Sequence, residues 1–223
     1  ISGGRLQMGI GAGWYEEEFL AHGYEFPKAS VRIAQLDEGI EVMKRMWTEE
    51  KASFEGEYYR LEGAICQPKP LQEPHIPIWV AGGGEKRTLR VVARHAQYAN
   101  FYGDPETWAH KSRVLAEHCA EVGTDFDAIT RSMNLRLVCA PTEAEAQERL
   151  DEIGARLRPL IGDDALERHE RQARRWSGPP DKIIEMLKPY RDFGLSYLIV
   201  FFPDVAYDLS GLELFGREVI GAL

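Results

Sequence analysis

Short apolar runs alternate along this chain with stretches whose apolar residues recur every three or four positions, the strand and helix periods respectively. Apolar runs predict strands at Arg5–Ile10, Ile76–Ala81, Tyr98–Tyr102, within Ile129–Ala140 and at Ser196–Phe202. Ile33, Leu36, Ile40, Met43 and Trp47 step along one face of a long helix introduced by Pro27, from about Lys28 to Trp47. Asp104-Pro105 opens a helix that runs to Val122 and stops at Gly123. Thr142-Glu-Ala-Glu145 forms a capping box and opens a helix to about Leu157. Further helices are predicted at Glu16–Leu20, at Glu85–His95, after Gly178-Pro-Pro-Asp181 as far as Phe193-Gly194, and at Ser210–Ala222, the last with Leu212, Phe215 and Val219 on one face. Phe54-Glu-Gly-Glu-Tyr-Tyr59 reads as a hairpin turning at Gly56. The Ile76–Ala81 run suits burial on both faces.

Strand and helix alternate, which predicts an α/β fold with a parallel sheet. Two architectures fit. A (β/α)₈ barrel requires eight strands, and the five predicted here would place three strand–helix units before Ile1, consistent with an opening Ile1-Ser-Gly-Gly-Arg5 that reads as a loop leaving a helix. An open, doubly wound sheet needs no such addition. The expected organisation is a single domain over 1–223, with a charged helical insertion at 158–176.

Charge narrows the partners. The 223 residues are 44% apolar, enough for a sizeable core, and carry a net charge of −9. That balance disfavours nucleic acid and anionic membrane surfaces. No apolar run approaches the roughly 18 residues of a membrane span. Cys66, Cys119 and Cys139 are widely spaced and match neither a metal motif nor a disulfide framework, so a reducing, cytoplasmic setting is expected.

The chemistry concentrates in two glycine stretches. Gly9-Ile-Gly-Ala-Gly13-Trp14 follows the first strand; it is not the dinucleotide fingerprint, because Trp14 stands where the third glycine belongs, and no P-loop lysine follows. Taken alone it reads equally as relief of crowding at a strand end or as a wall for a flat ring, with Trp14 and Tyr15 beside it. Glu16, Glu17 and Glu18 suit the first turn of a helix. Gly82-Gly-Gly84-Glu-Lys-Arg-Thr88 joins a buried strand to a helix, where free backbone N–H groups make an anion site; a tight turn without ligand is the alternative. His22, His75, His95, His110, His118 and His169 are scattered, and no nucleophile–base pair or metal motif appears. That combination points to chemistry carried by a cofactor.

Gly4–Phe19, Pro77–Arg90 and Gly178-Pro-Pro-Asp181 before Phe193-Gly194 together resemble the luciferase-like monooxygenase superfamily, and within it the oxidoreductases that use the deazaflavin coenzyme F420. The resemblance implies a TIM barrel of the bacterial-luciferase type whose first three strand–helix units are absent from this chain. It implies that Gly11, Ala12, Gly13 and Trp14 lie beside the cofactor ring and its side chain, and that Glu17 falls at a cofactor-contacting position. Gly82, Gly83 and Gly84, with Thr88 at the start of the next helix, correspond to the phosphate site, and Asn100 to an asparagine that ends the following strand. The implied activity is hydride transfer between F420 and an organic small molecule, in a homodimeric parent, with an FMN-dependent monooxygenase as the alternative. A non-catalytic flavin-binding or interaction fragment is the reading from another class. Two departures stand out. Ala96-Gln-Tyr-Ala-Asn100 replaces the family's Ala-Asp-Gly-Trp-Asn, and Trp14 stands where some deazaflavin dehydrogenases carry a catalytic glutamate, which speaks against a sugar-phosphate dehydrogenase.

Overall fold

A computed structural model describes residues 2–223, the side chains of Arg168 and His169 excepted; Ile1 and the His169 side chain lie outside the described residues. The chain forms two compact units, Ile1–Arg131 and Ser132–Leu223.

The first unit is built on three parallel strands in the order β1 (Met8–Ile10), β4 (Ile78–Ala81), β5 (Tyr98–Asn100). Met8, Gly9 and Ile10 pair with Ile78, Trp79 and Val80, and Trp79, Val80 and Ala81 pair with Tyr98, Ala99 and Asn100. Ile78, Val80 and Ala99 are fully buried. The opposite positions are not: Trp79 is partly covered and Ala81 is exposed. The strand is therefore covered on one face rather than both. On the open face Trp79 stacks on Tyr98, centroids 4.3 Å apart and nearly coplanar. The Trp79 Nε1–H donates to Gln7 Oε1 (2.8 Å), and the Gln7 amide donates to the Tyr98 hydroxyl (3.3 Å). A Cβ added at Gly9, beside this stack, would meet open space, so crowding does not demand glycine there.

Helices α1 (Glu16–Ala21), α2 (Ala29–Thr48), α3 (Thr88–His95) and α4 (Pro105–Val122) complete the unit with the antiparallel hairpin β2 (Ala52–Glu55) and β3 (Arg60–Ala64). Leu36 and Ile40 are the buried residues of α2, on the face its periodicity predicts. The hairpin turns through Gly56, whose N–H donates to Tyr59 O. Its tip is held from α2: the Glu38 carboxylate accepts from the backbone N–H groups of Glu57, Tyr58 and Tyr59 at 2.8, 2.8 and 3.2 Å. The caps of α4 are those the sequence predicts. Asp104 accepts from the Thr107 N–H, and Gly123 ends the helix in the left-handed region with φ 76°. Helix α3 differs from expectation. Glu85–Arg87 form a turn, Arg87 has non-helical angles, and the helix starts at Thr88. The Leu89 N–H reaches back to Gly84 O, a wider closure than a helix makes.

A cluster of charged side chains joins α2 and α3 in this unit. Asp37 of α2 accepts from His95 Nε2 at 2.7 Å and from Arg94, and Lys44 Nζ lies 3.3 Å from His95 Nδ1. Burial acts to raise the Asp37 carboxyl, but the His95 hydrogen bond and the Arg94 charge outweigh it and hold it below the usual carboxylate range.

The second unit pairs β6 (Thr130–Arg136) with β7 (Tyr197–Phe201) in parallel, Ser132 opposite Tyr197 through Arg136 opposite Phe201. Thr142 caps α5 (Glu143–Trp176) by accepting from the Glu145 N–H, as the capping box predicts. That helix breaks at Gly162 (φ 74°), soon after Pro159, rather than near Leu157. Helix α6 (Pro180–Asp192) buries Ile183, Leu187 and Tyr190, and Gly194 follows it with φ 89°. In α7 (Ser210–Glu218) the inward residues are Gly211, Leu214 and Phe215. Leu212, expected inside, is 41% exposed, because Gly211 rather than Leu212 turns toward the Cys139 carbonyl. Among the described residues no helix is long and apolar enough to cross a membrane.

Candidate cofactor site

The carboxyl ends of β1, β4 and β5 converge in the first unit, and this is the edge of a parallel α/β sheet where ligands bind. Just past β1, Gly11 lies against Ala81 of β4: a Cβ there would sit 3.5 Å from the Ala81 carbonyl oxygen and 3.7 Å from its Cβ. Ala81 is in turn paired with Asn100, which ends β5, and Asn100 O accepts from the Gly82 N–H at 2.8 Å. Parallel pairing thus brings Gly11, Gly82 and Asn100, distant in sequence, to one edge.

The Gly82–Gly84 turn is tightly built. Gly82 has φ 121°, a conformation that L side chains rarely adopt. Added Cβ atoms at Gly82 and Gly84 would approach the Thr88 side chain to 3.1 and 2.9 Å. Thr88, buried, therefore packs beneath the turn. On the other side Lys111 of α4 donates from Nζ to Gly83 O (2.5 Å), and Phe101 backs the turn, its Cβ 3.3 Å from where a Cβ on Gly83 would stand. Among the described residues the N–H groups of Gly83 and Gly84 have no acceptor. Two donors and an ammonium at one turn can hold an anionic group. Lys111 is the residue that the sequence did not flag: it lies in the middle of a different helix, and only the packing of α4 on α3 brings it to the turn.

At the β1 end, Gly13 takes φ 77° and the chain enters α1, which buries no residue. Trp14 is 84% exposed and rests against Tyr15, centroids 5.3 Å apart. Tyr15 donates its hydroxyl to Glu17 Oε2 (2.8 Å); that bond, with the Glu17 charge, raises the phenol above its ordinary range. Glu17 is thus engaged with Tyr15, while Glu16 and Glu18 stand exposed at the start of α1. The segment is fixed from behind by Arg32 of α2, whose Nε donates to Ala12 O at 3.2 Å.

Residues 1–195 match the family described as luciferase-like monooxygenase. The chain belongs to the luciferase-like monooxygenase family. Two relatives differ in cofactor. The F420-dependent glucose-6-phosphate dehydrogenase of Nocardia farcinica (strain IFM 10152) is 31% identical over 245 residues, covering 97% of this chain and 68% of the relative. The FMNH(2)-dependent dimethylsulfone monooxygenase of Pseudomonas putida is 30% identical over 159 residues, covering 71% of this chain and 43% of the relative. Among solved structures, an F420-dependent secondary alcohol dehydrogenase in complex with an F420–acetone adduct superposes with a TM-score of 0.77 at 19% identity, covering 99% of this chain and 70% of that one. The likeness extends the α/β, parallel-strand fold of the luciferase-like proteins to this chain.

Proposed function

We propose that the chain belongs to an oxidoreductase that moves a hydride between coenzyme F420 and an organic small molecule. The observation that carries this reading is the meeting of Gly11 with Ala81, the residue before Gly82, at the ends of paired strands, which supports reading a ring wall and an anion turn as one site. In it, Gly11, Ala12, Gly13 and Trp14 flank the ring, Gly82, Gly83 and Gly84 take the phosphate, Asn100 closes the edge, and Glu17 acts through Tyr15. Thr88 supports the turn from beneath. Lys111 spends one N–H on Gly83 O and has two more to give an anion.

A bound deazaflavin supplies the hydride chemistry. The protein supplies position. The strand ends would hold the ring, the N–H groups of Gly83 and Gly84 would hold its anionic tail, and Trp14 with Tyr15 would limit water. Glu16–Glu18 crowd the loop with negative charge, and Arg32 beside it is already engaged, so a neutral organic substrate fits better than a phosphorylated sugar. Turnover of glucose 6-phosphate would contradict that part.

The relative from Pseudomonas putida motivates the second reading, an FMN-dependent monooxygenase. Fluorescence titration of the 223-residue chain with F420 and with FMN separates the two. The expected result is saturable binding of F420 at lower concentration than FMN; tighter FMN binding transfers the assignment to the second reading, and binding of neither overturns both.

A further inference from the structure

We infer that Arg32 is a positioning residue of this site, which turns the Ala12–Gly13 peptide so that the Gly13 N–H is presented to an oxygen acceptor on the bound cofactor. The inference rests on the function proposed above. It starts from an imbalance in α1: residues 13–18 are all exposed and the helix buries nothing, yet the glycine loop before it holds a defined left-handed turn. Its anchor lies in α2. The Arg32 guanidinium donates through Nε to Ala12 O and through Nη1 to Pro27 O, and its Cζ sits 3.7 Å over the Phe26 ring. Phe26 meets Phe19 of α1 edge-on at 5.1 Å. Phe19 in turn fills the space behind Gly13, where an added Cβ would lie 2.6 Å from its Cζ. Loop, aromatic pair and arginine therefore close a ring of contacts, and Arg32 is the member that touches the backbone of the loop itself.

Peptide geometry sets the consequence. In a trans peptide the C=O and the following N–H point in opposite directions. With Ala12 O held toward Arg32, the Gly13 N–H must face away from α2, toward the open side that Gly13 and Trp14 line. That N–H has no acceptor among the described residues. A bond to Pro27 alone would explain an arginine that staples the start of α2. The second bond, to a carbonyl twenty positions earlier in the chain, has no bearing on that start and acts only on the loop.

The test compares Arg32→Met, which keeps the stem over Phe26 but removes both donors, with Arg32→Lys, which restores one. In Arg32→Met, exchange of the hydrogen-bonded amides of residues 19–24 should quicken by about tenfold while the global thermal midpoint stays nearly unchanged. F420 affinity should fall by about tenfold, with Arg32→Lys in between. Unchanged exchange overturns the anchoring, and quickened exchange with undiminished affinity overturns the presentation of Gly13. If the unaltered chain binds neither F420 nor FMN, the proposed function fails, and the exchange comparison still decides whether Arg32 holds the loop.

Discussion

Gly83→Asp should weaken cofactor binding by about 100-fold, roughly 3 kcal/mol. Three effects add. The new side chain enters the turn where its Cβ would lie 2.8 Å from Lys111 Nζ and 3.3 Å from Phe101 Cβ. Its carboxylate pairs with Lys111 and withdraws that cation from the anion. It also places a negative charge close to the N–H groups proposed to receive the phosphate. The fold should tolerate the change, because Gly83, unlike Gly82, has no positive φ and the tightest contact is the mobile end of a lysine. Gly83→Asn separates charge from bulk and should lose only about tenfold. Fluorescence titration of both variants beside a thermal scan reads the result; an unchanged affinity in Gly83→Asp places the anion elsewhere.

Trp108→Ala should carry the largest cost in stability, about 3–5 kcal/mol. Trp108 of α4 is fully buried, and its ring lies 5.2 Å from that of Phe101, the residue that backs Gly83. Truncation removes the transfer energy of a large ring and leaves a cavity against Phe101, which backs Gly83. Trp108→Phe keeps most of the contact and should cost about 1–2 kcal/mol. Urea denaturation followed by far-UV circular dichroism measures both. A loss below about 1 kcal/mol in Trp108→Ala would mean that the turn does not depend on this support.

Much of the fold is legible in the sequence because its signals are local. Asp104-Pro105 and Gly123 bound α4, Thr142 caps α5, and Phe54–Tyr59 forms the hairpin, each decided by residues adjacent in the chain. Expectation and structure part where the deciding contact is distant. Glu85–Arg87 carry good helix formers, but the Gly84–Leu89 closure and the packing of Thr88 under the glycines postpone α3. The pattern at Leu212 fits a helix face equally well one position away, and the close approach of Gly211 to the Cys139 carbonyl selects the register. The apolar run of β4 predicts two covered faces, whereas the Gln7, Trp79 and Tyr98 cluster lines a face that remains open. In the candidate site, the glycines are visible because glycine is a backbone signal. Arg32 and Lys111 are not, because a cation on a surface helix looks the same whether it meets water or a carbonyl from another element.

If the two glycine stretches are walls of one cofactor site, a single ligand must protect both. Hydrogen exchange of the chain at second-scale labelling, with and without saturating F420, reads this directly. Exchange should slow in both 9–15 and 82–88, with 180–192 of α6 unaffected; slowing confined to one stretch, or absent from both while F420 is bound, would contradict a shared site.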